Sequence, residues 1–243
     1  MDRTGYLSAV RRDGEALANT AEGNLALSVP TCPGWSVADL VWHVSGVHYF
    51  WRSIAERRLT EPAAVKHVEQ PARPADGELI AWYRAGLGHL LAVLEGLDPA
   101  TEVWTWAEPH DVSFIVRRMA HETAVHRWDA DHAAGVSQPI EAELASDGID
   151  EFFEYFDISR KEDAAPLGGT VHLHCTDVEG EWIVREDAAG DITIERRHEK
   201  GDAAMRGTAS DLLLALWRRV GLPAIDVIGD VGVAERLIAR QRL

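Results

Sequence analysis

The chain has 243 residues, 46% hydrophobic and 26% charged, and a formal net charge of −16 from 40 acidic and 24 basic residues. Such a chain repels phosphate backbones and anionic lipid, and its arginine pairs, Arg57-Arg58, Arg117-Arg118 and Arg218-Arg219, are isolated, so neither nucleic acid nor membrane is an expected partner. No stretch reaches the roughly 20 apolar residues of a membrane span, the N-terminal residues carry no basic-then-apolar signal, and the sparse, distant cysteines Cys32 and Cys175 suit a reducing, cytoplasmic setting.

Residues 2–26 are polar and alanine-rich, with few breakers before Gly23, and predict a first helix. The turn-rich Val29-Pro-Thr-Cys-Pro-Gly-Trp35 leads to Ser36, a good N-cap with Asp39 three residues on. Val37, Leu40, Val41, Val44, Val47, Trp51 and Ile54 recur at helical spacing and predict an amphipathic helix over 37–58. Pro62, Pro71 and Pro74 mark a loop over 60–76. Further helices are expected over 76–97, 111–134 and 139–156, the last with Pro139 at its first position.

After residue 160 the period changes from helical to two. Thr170-Val-His-Leu-His-Cys-Thr176, Trp182-Ile-Val-Arg185 and Ile192-Thr-Ile-Glu195 read as strands, with turns at Gly180 and Ala189-Gly190. A helix over 209–220, a short strand over 225–228 and a helix over 231–240 complete the pattern. The fold class is therefore α+β: a helical bundle over 1–160 and a small α/β domain over 161–243, joined in the charged, then Pro/Gly-rich stretch 160–169.

The segment that carries chemistry is Arg117-Arg-Met-Ala-His-Glu-Thr-Ala-Val-His-Arg-Trp-Asp129. Glu122 and His126 are one helical turn apart, and Met119, Glu122 and His126 lie within about 40° of Ile115 around the helix. A carboxylate on an apolar stripe needs its charge compensated. A divalent metal would do so, and histidine with carboxylate suits zinc; a buried pair with His126, Arg118 or Arg127 would do so as well. The helix over 37–58 offers two more histidines. Periodicity turns His48 inward and leaves His43 about 90° off the stripe, at the edge where a ligand facing an open cleft would stand. Both remain open on these grounds.

Cys32-Pro-Gly-Trp-Ser-Val-Ala-Asp-Leu-Val-Trp-His43, followed by His121-Glu-Thr-Ala-Val-His-Arg-Trp-Asp129, resembles the mycothiol-dependent maleylpyruvate isomerase family, a branch of the DinB-like metal-binding four-helix bundles. The resemblance extends over the chain: Thr170–Asp177, Gly180-Glu-Trp182 and Arg206–Trp217 are similar to the family's second domain, a sterol-carrier-like α/β fold. It implies His43, Glu122 and His126 as metal ligands and mycothiol as thiol cosubstrate. Arg219 matches an arginine that the family offers to its active site, whereas Arg218 stands where family members often have glycine. Three protein ligands leave a fourth position open, and a site with net charge of about +1 favours a thiolate there. The expected protein is a metal- and thiol-dependent isomerase or S-transferase acting on an electrophilic small molecule, as a monomer or weak homodimer. A metal-dependent hydrolase on the same ligands and a non-catalytic carrier module are the alternatives. Cys32 and Cys175 read as packing residues, and Asp129, one turn beyond His126, as a candidate partner for a ligand imidazole.

Overall fold

The computed structural model describes residues 1–136, 138–156 and 165–240. The chain divides into two compact units, Met1–Gln138 and Pro139–Leu243. In the first, α1 (Arg3–Ala21), α2 (Val37–Arg57), α4 (Asp76–Gly96) and α5 (Val112–Ala133) form the bundle, and α3 (Pro62–Val65) is a single turn inside the predicted loop. Helix α1 packs on α5 and α4, and α2 packs on the same two helices. Val10, Leu17, Leu40, Val44, Ile54, Leu90, Ile115 and Met119 are wholly buried, so the predicted apolar stripes do face inward.

The start of α2 follows from its sequence. Ser36 and Asp39 form a reciprocal capping box. Hydrogen bonds from Ser36 and from Arg73 hold the Asp39 carboxyl down at about 2. Just before it, Gly34 adopts φ +87°, a left-handed conformation that favours glycine, and this turn delivers Trp35 to the helix start. The first helix stops at Ala21, short of the predicted 26, because the chain turns over the following residues.

The second unit contains α6 (Ala142–Tyr155), β1 (Val171–Cys175), β2 (Glu181–Glu186), β3 (Ile192–Glu195), β4 (Ala203–Gly207), α7 (Ala209–Leu216), β5 (Asp226–Gly229) and α8 (Val231–Ala239). The sheet order is β3-β2-β1-β4-β5. Only β1 and β4 are parallel among the paired strands; the rest are antiparallel. Helices α7 and α8 pack on β1 and β4. Strand β4, Ala-Ala-Met-Arg-Gly, was not predicted: it lacks β-branched residues and alternation, and pairing with β1 and β5 makes it a strand.

Helix α6 begins at Ala142, capped by Glu141, not at Pro139. It belongs to the second unit, not to the bundle expected over 1–160. Its Phe152 is wholly buried, with its ring 5.3 Å edge-on from Trp217 at the end of α7, and its Asp150 accepts a hydrogen bond from Trp182 Nε1 at 2.6 Å. Half of the stretch expected to join the domains, residues 160–164 of 160–169, lies outside the described residues. Among the described residues no helix is long and apolar enough to cross a membrane.

Candidate metal centre

Helices α2 and α5 bring His43, Glu122 and His126 together. Glu122 Oε1 lies 3.3 Å from His43 Nε2 and 3.2 Å from His126 Nε2. One donor atom from each of the three lies within 4.8 Å of the others. The imidazole rings of His43 and His126 stand 5.0 Å apart at 80°, and Trp35, delivered by the Gly34 turn, lies 4.9 Å from His43. Glu122 Oε2 accepts from Arg118 Nη2 at 2.9 Å, which leaves Oε1 as the oxygen facing the two histidines.

The electrostatics are those of a concentrated charge cluster. Burial opposes ionisation of Glu122, but the His126 charge, hydrogen bonds from His126 and His43, and Arg118 together hold it well below the usual carboxylate range. Burial likewise opposes protonation of His126, yet the Glu122 and Asp129 carboxylates raise it to about 9 without a metal. Asp129 is wholly buried, bonds His126 Nδ1 at 2.9 Å and accepts from Thr31 Oγ1 at 2.6 Å. That contact fixes the ring and commits Nε2 to the Glu122 side, as partners of ligand histidines do.

His48 has the other fate left open for it. It is buried, its Nε2 meets Thr123 Oγ1 at 2.9 Å, and its ring stacks on Tyr83. Burial, helped by the His126 and His43 charges against the pull of Glu122, pushes it down to about 4. Of the two arginines considered as partners for Glu122, Arg118 takes it; Arg127 instead pairs with Asp13 and Asp131. Cys32 lies on the far side of His126, its Sγ 3.7 Å from Asp129 Oδ2. Cys32, His126 and Asp129 are also close enough to share an ion, but the Asp129 oxygens are already held by Thr31 and His126, so the Nε2 side is the open one. Arg219 belongs to the second unit, where its guanidinium donates to Trp217 O at 3.0 Å and lies over the Trp217 ring.

A cavity of about 900 Å³ opens beside the cluster, with His43 and Glu122 in its wall. Trp35, Phe50, Trp51, Trp106 and Gln70 are also in its wall. Gly46 on α2 leaves room for Gln70: a Cβ there would come within 2.7 Å of the Gln70 amide. Sequence periodicity marked Trp51 only as core and gave no role to Gln70 or Trp106. Gln70 and Trp106 come from separate loops and Trp51 from α2, and no local pattern links them.

Comparison with known proteins bears on the whole chain. The family model for the mycothiol maleylpyruvate isomerase N-terminal domain matches residues 7–131, and that for the MDMPI C-terminal domain matches residues 143–236. The chain belongs to the mycothiol maleylpyruvate isomerase family. Two solved structures, the mycothiol-dependent maleylpyruvate isomerase and a mutant of it in which a histidine is replaced by alanine, share the family fold. Each is 11% identical to this chain, covers 93% of both chains, and superposes with a TM-score of 0.59 or 0.60. A search of curated proteins finds no match. Arg218, where the resemblance implied glycine, has φ +54°, in the left-handed region that favours glycine.

Proposed function

We propose that this chain is a metal- and thiol-dependent enzyme that uses mycothiol against an electrophilic small molecule, as an isomerase of the maleylpyruvate type or a thiol S-transferase. The observation that carries the reading is the convergence of His43, Glu122 and His126, with His43 and Glu122 on the wall of an aromatic cavity. Family membership supports the choice of thiol.

The residues fit a divalent metal, zinc by donor type: two imidazole nitrogens and one carboxylate oxygen, with a fourth position for an exogenous ligand. When bound, the ion would lower the pKa of a coordinated thiol and so supply a thiolate at neutral pH. The protein's own groups do the rest. Asp129 keeps the His126 ring in place. Arg118 holds one Glu122 oxygen and presents the other. Trp35, Phe50 and Trp106 give the thiol and its partner flat apolar walls that exclude water. The cavity is at the upper end of the range for small-molecule sites, roughly 300–1,000 Å³, room enough for a thiol and a substrate together. Neither cysteine is on the open side: Cys32 Sγ lies against Asp129, on the Nδ1 side of His126, and Cys175, in the second unit, is buried with its thiol pushed up to about 12 by that burial and the nearby Asp177 charge. Arg219 is proposed to hold an anionic end of the thiol or the substrate.

Metal analysis after chelator-free purification tests this reading. His43→Ala, Glu122→Ala and His126→Ala should each lose an ion that His48→Ala retains. Arg219→Lys should keep the ion and lose turnover, because a planar two-pronged donor is replaced by a point charge. Unchanged metal in the Glu122 and His126 variants would overturn the site, and unchanged turnover in the Arg219 variant would remove that residue from it.

A further inference from the structure

The second unit carries another group of metal-favouring side chains, none of which the reaction above uses. His172 and His174 are two apart on β1, so strand alternation turns them to one face. The β1–β2 register sets Glu181 directly across from His174. His198 follows β3, which pairs with β2, and reaches the same carboxylate. His174 Nδ1 and His198 Nδ1 lie 2.7 Å from Glu181 Oε1 and Oε2 respectively. The rings of His174 and His198 stand 5.9 and 5.1 Å from that of His172. One donor atom from each of the four residues lies within 4.8 Å of the others.

A purely hydrogen-bonded cluster leaves this arrangement incomplete. Both Glu181 oxygens are already engaged by His174 and His198. His172 is 94% buried by its 6% exposure, and its Nε2, 3.5 Å from Glu181 Oε2, has no hydrogen-bond partner among the described residues. Its ring faces those of His174 and His198, so this nitrogen is buried within the cluster. Protonating the histidines instead would crowd like charges around a single carboxylate. A dication satisfies every member at once: three imidazole lone pairs and one carboxylate oxygen. The flanking arginines do not forbid it, since Arg196 is paired with Asp150 and Arg197 with Glu195 and Glu199. The cluster borders an open cavity of about 310 Å³, which gives an ion its way in.

We propose that His172, His174, Glu181 and His198 bind a divalent transition-metal ion of the zinc class. Four protein donors close the coordination shell, the mark of a structural site. The ion ties the segment after β3 to the β1–β2 hairpin, where His198, 77% exposed, has little packing to fix it. No thiol and no substrate take part.

The test uses the full chain and zinc or cobalt alone. Equilibrium dialysis of Glu122→Ala, which lacks the first site, should still give one bound zinc per chain. Adding His198→Ala, or His174→Gln, should weaken that binding by roughly 10- to 100-fold or more. His198 is exposed, so its replacement leaves the fold intact, and zinc should raise the melting temperature of Glu122→Ala but not of Glu122→Ala/His198→Ala. The cobalt form of Glu122→Ala should show a tetrahedral visible spectrum that mycothiol does not change. Absence of bound zinc in Glu122→Ala, or binding indifferent to both His174→Gln and His198→Ala, would overturn the proposal.

Discussion

His48 and His43 share α2 and differ in what surrounds them. Periodicity correctly turned His48 inward, and it is core: its Nε2 is taken by Thr123 and its ring stacks on Tyr83. His43 stands at the stripe's edge, 36% exposed, where the cavity opens. The choice between them was legible only through resemblance, since the cavity is a tertiary feature. The burial of His48 has a consequence for stability. Its pKa falls from 6.5 unfolded to about 4 folded, so acid favours the unfolded chain. Its contribution is intact above the unfolded value and is lost as pH falls from there towards the folded one. Between about pH 7 and pH 5 the metal-free protein should lose about 2 kcal/mol from this group alone. Urea unfolding of chelator-stripped protein and of His48→Gln checks this; equal acid slopes in the two would contradict it. Arg218 shows a second residue-scale trade. Its left-handed backbone is strained, but its side chain donates to Ile238 O and Ala239 O at 3.2 Å, capping the end of α8. Arg218→Ala should lose about 1 kcal/mol in denaturant unfolding, because the strain stays and the bonds go, whereas Arg218→Gly should stay within about 0.5 kcal/mol of the parent.

Elements with strong local signals were legible from sequence. Helix α2 announces itself by the Ser36–Asp39 capping box and its apolar stripe, and β1 and β2 by alternation and turn glycines. Strand β4 was invisible because its residues have no strand preference and its pairing partners are distant in sequence. Helix α6 was found as a helix but placed in the bundle, since sequence order says nothing about which core a helix joins. Its packing on α7 makes a direct prediction. A fragment of residues 139–243 should unfold cooperatively. One beginning at 161 lacks Phe152 and the Asp150–Trp182 bond and should lose about 3–5 kcal/mol or fail to fold. Circular dichroism melts of the two fragments decide; equal stability would mean that α6 contributes nothing to the second unit's core.

At the scale of the molecule, the composition set useful limits, the paired motifs around His43 and His126 carried the family resemblance of the first domain, and Thr170–Asp177, Gly180-Glu-Trp182 and Arg206–Trp217 carried that of the second. The histidine cluster of the second unit had no such signal: its members come from β1, β2 and the segment after β3, and only the sheet register gathers them. In a chain of net charge −16, a cation held by the first cluster would be the local positive centre that favours a thiolate such as that of mycothiol. The central claim is that His43, Glu122 and His126 hold a metal with one position open to that thiol. Titrating mycothiol into the cobalt-substituted protein tests it most directly. A saturable sulfur-to-metal charge-transfer band should appear, persist in His48→Gln and vanish in Glu122→Ala and His126→Ala. No band at millimolar thiol, or a band indifferent to Glu122 and His126, would contradict it.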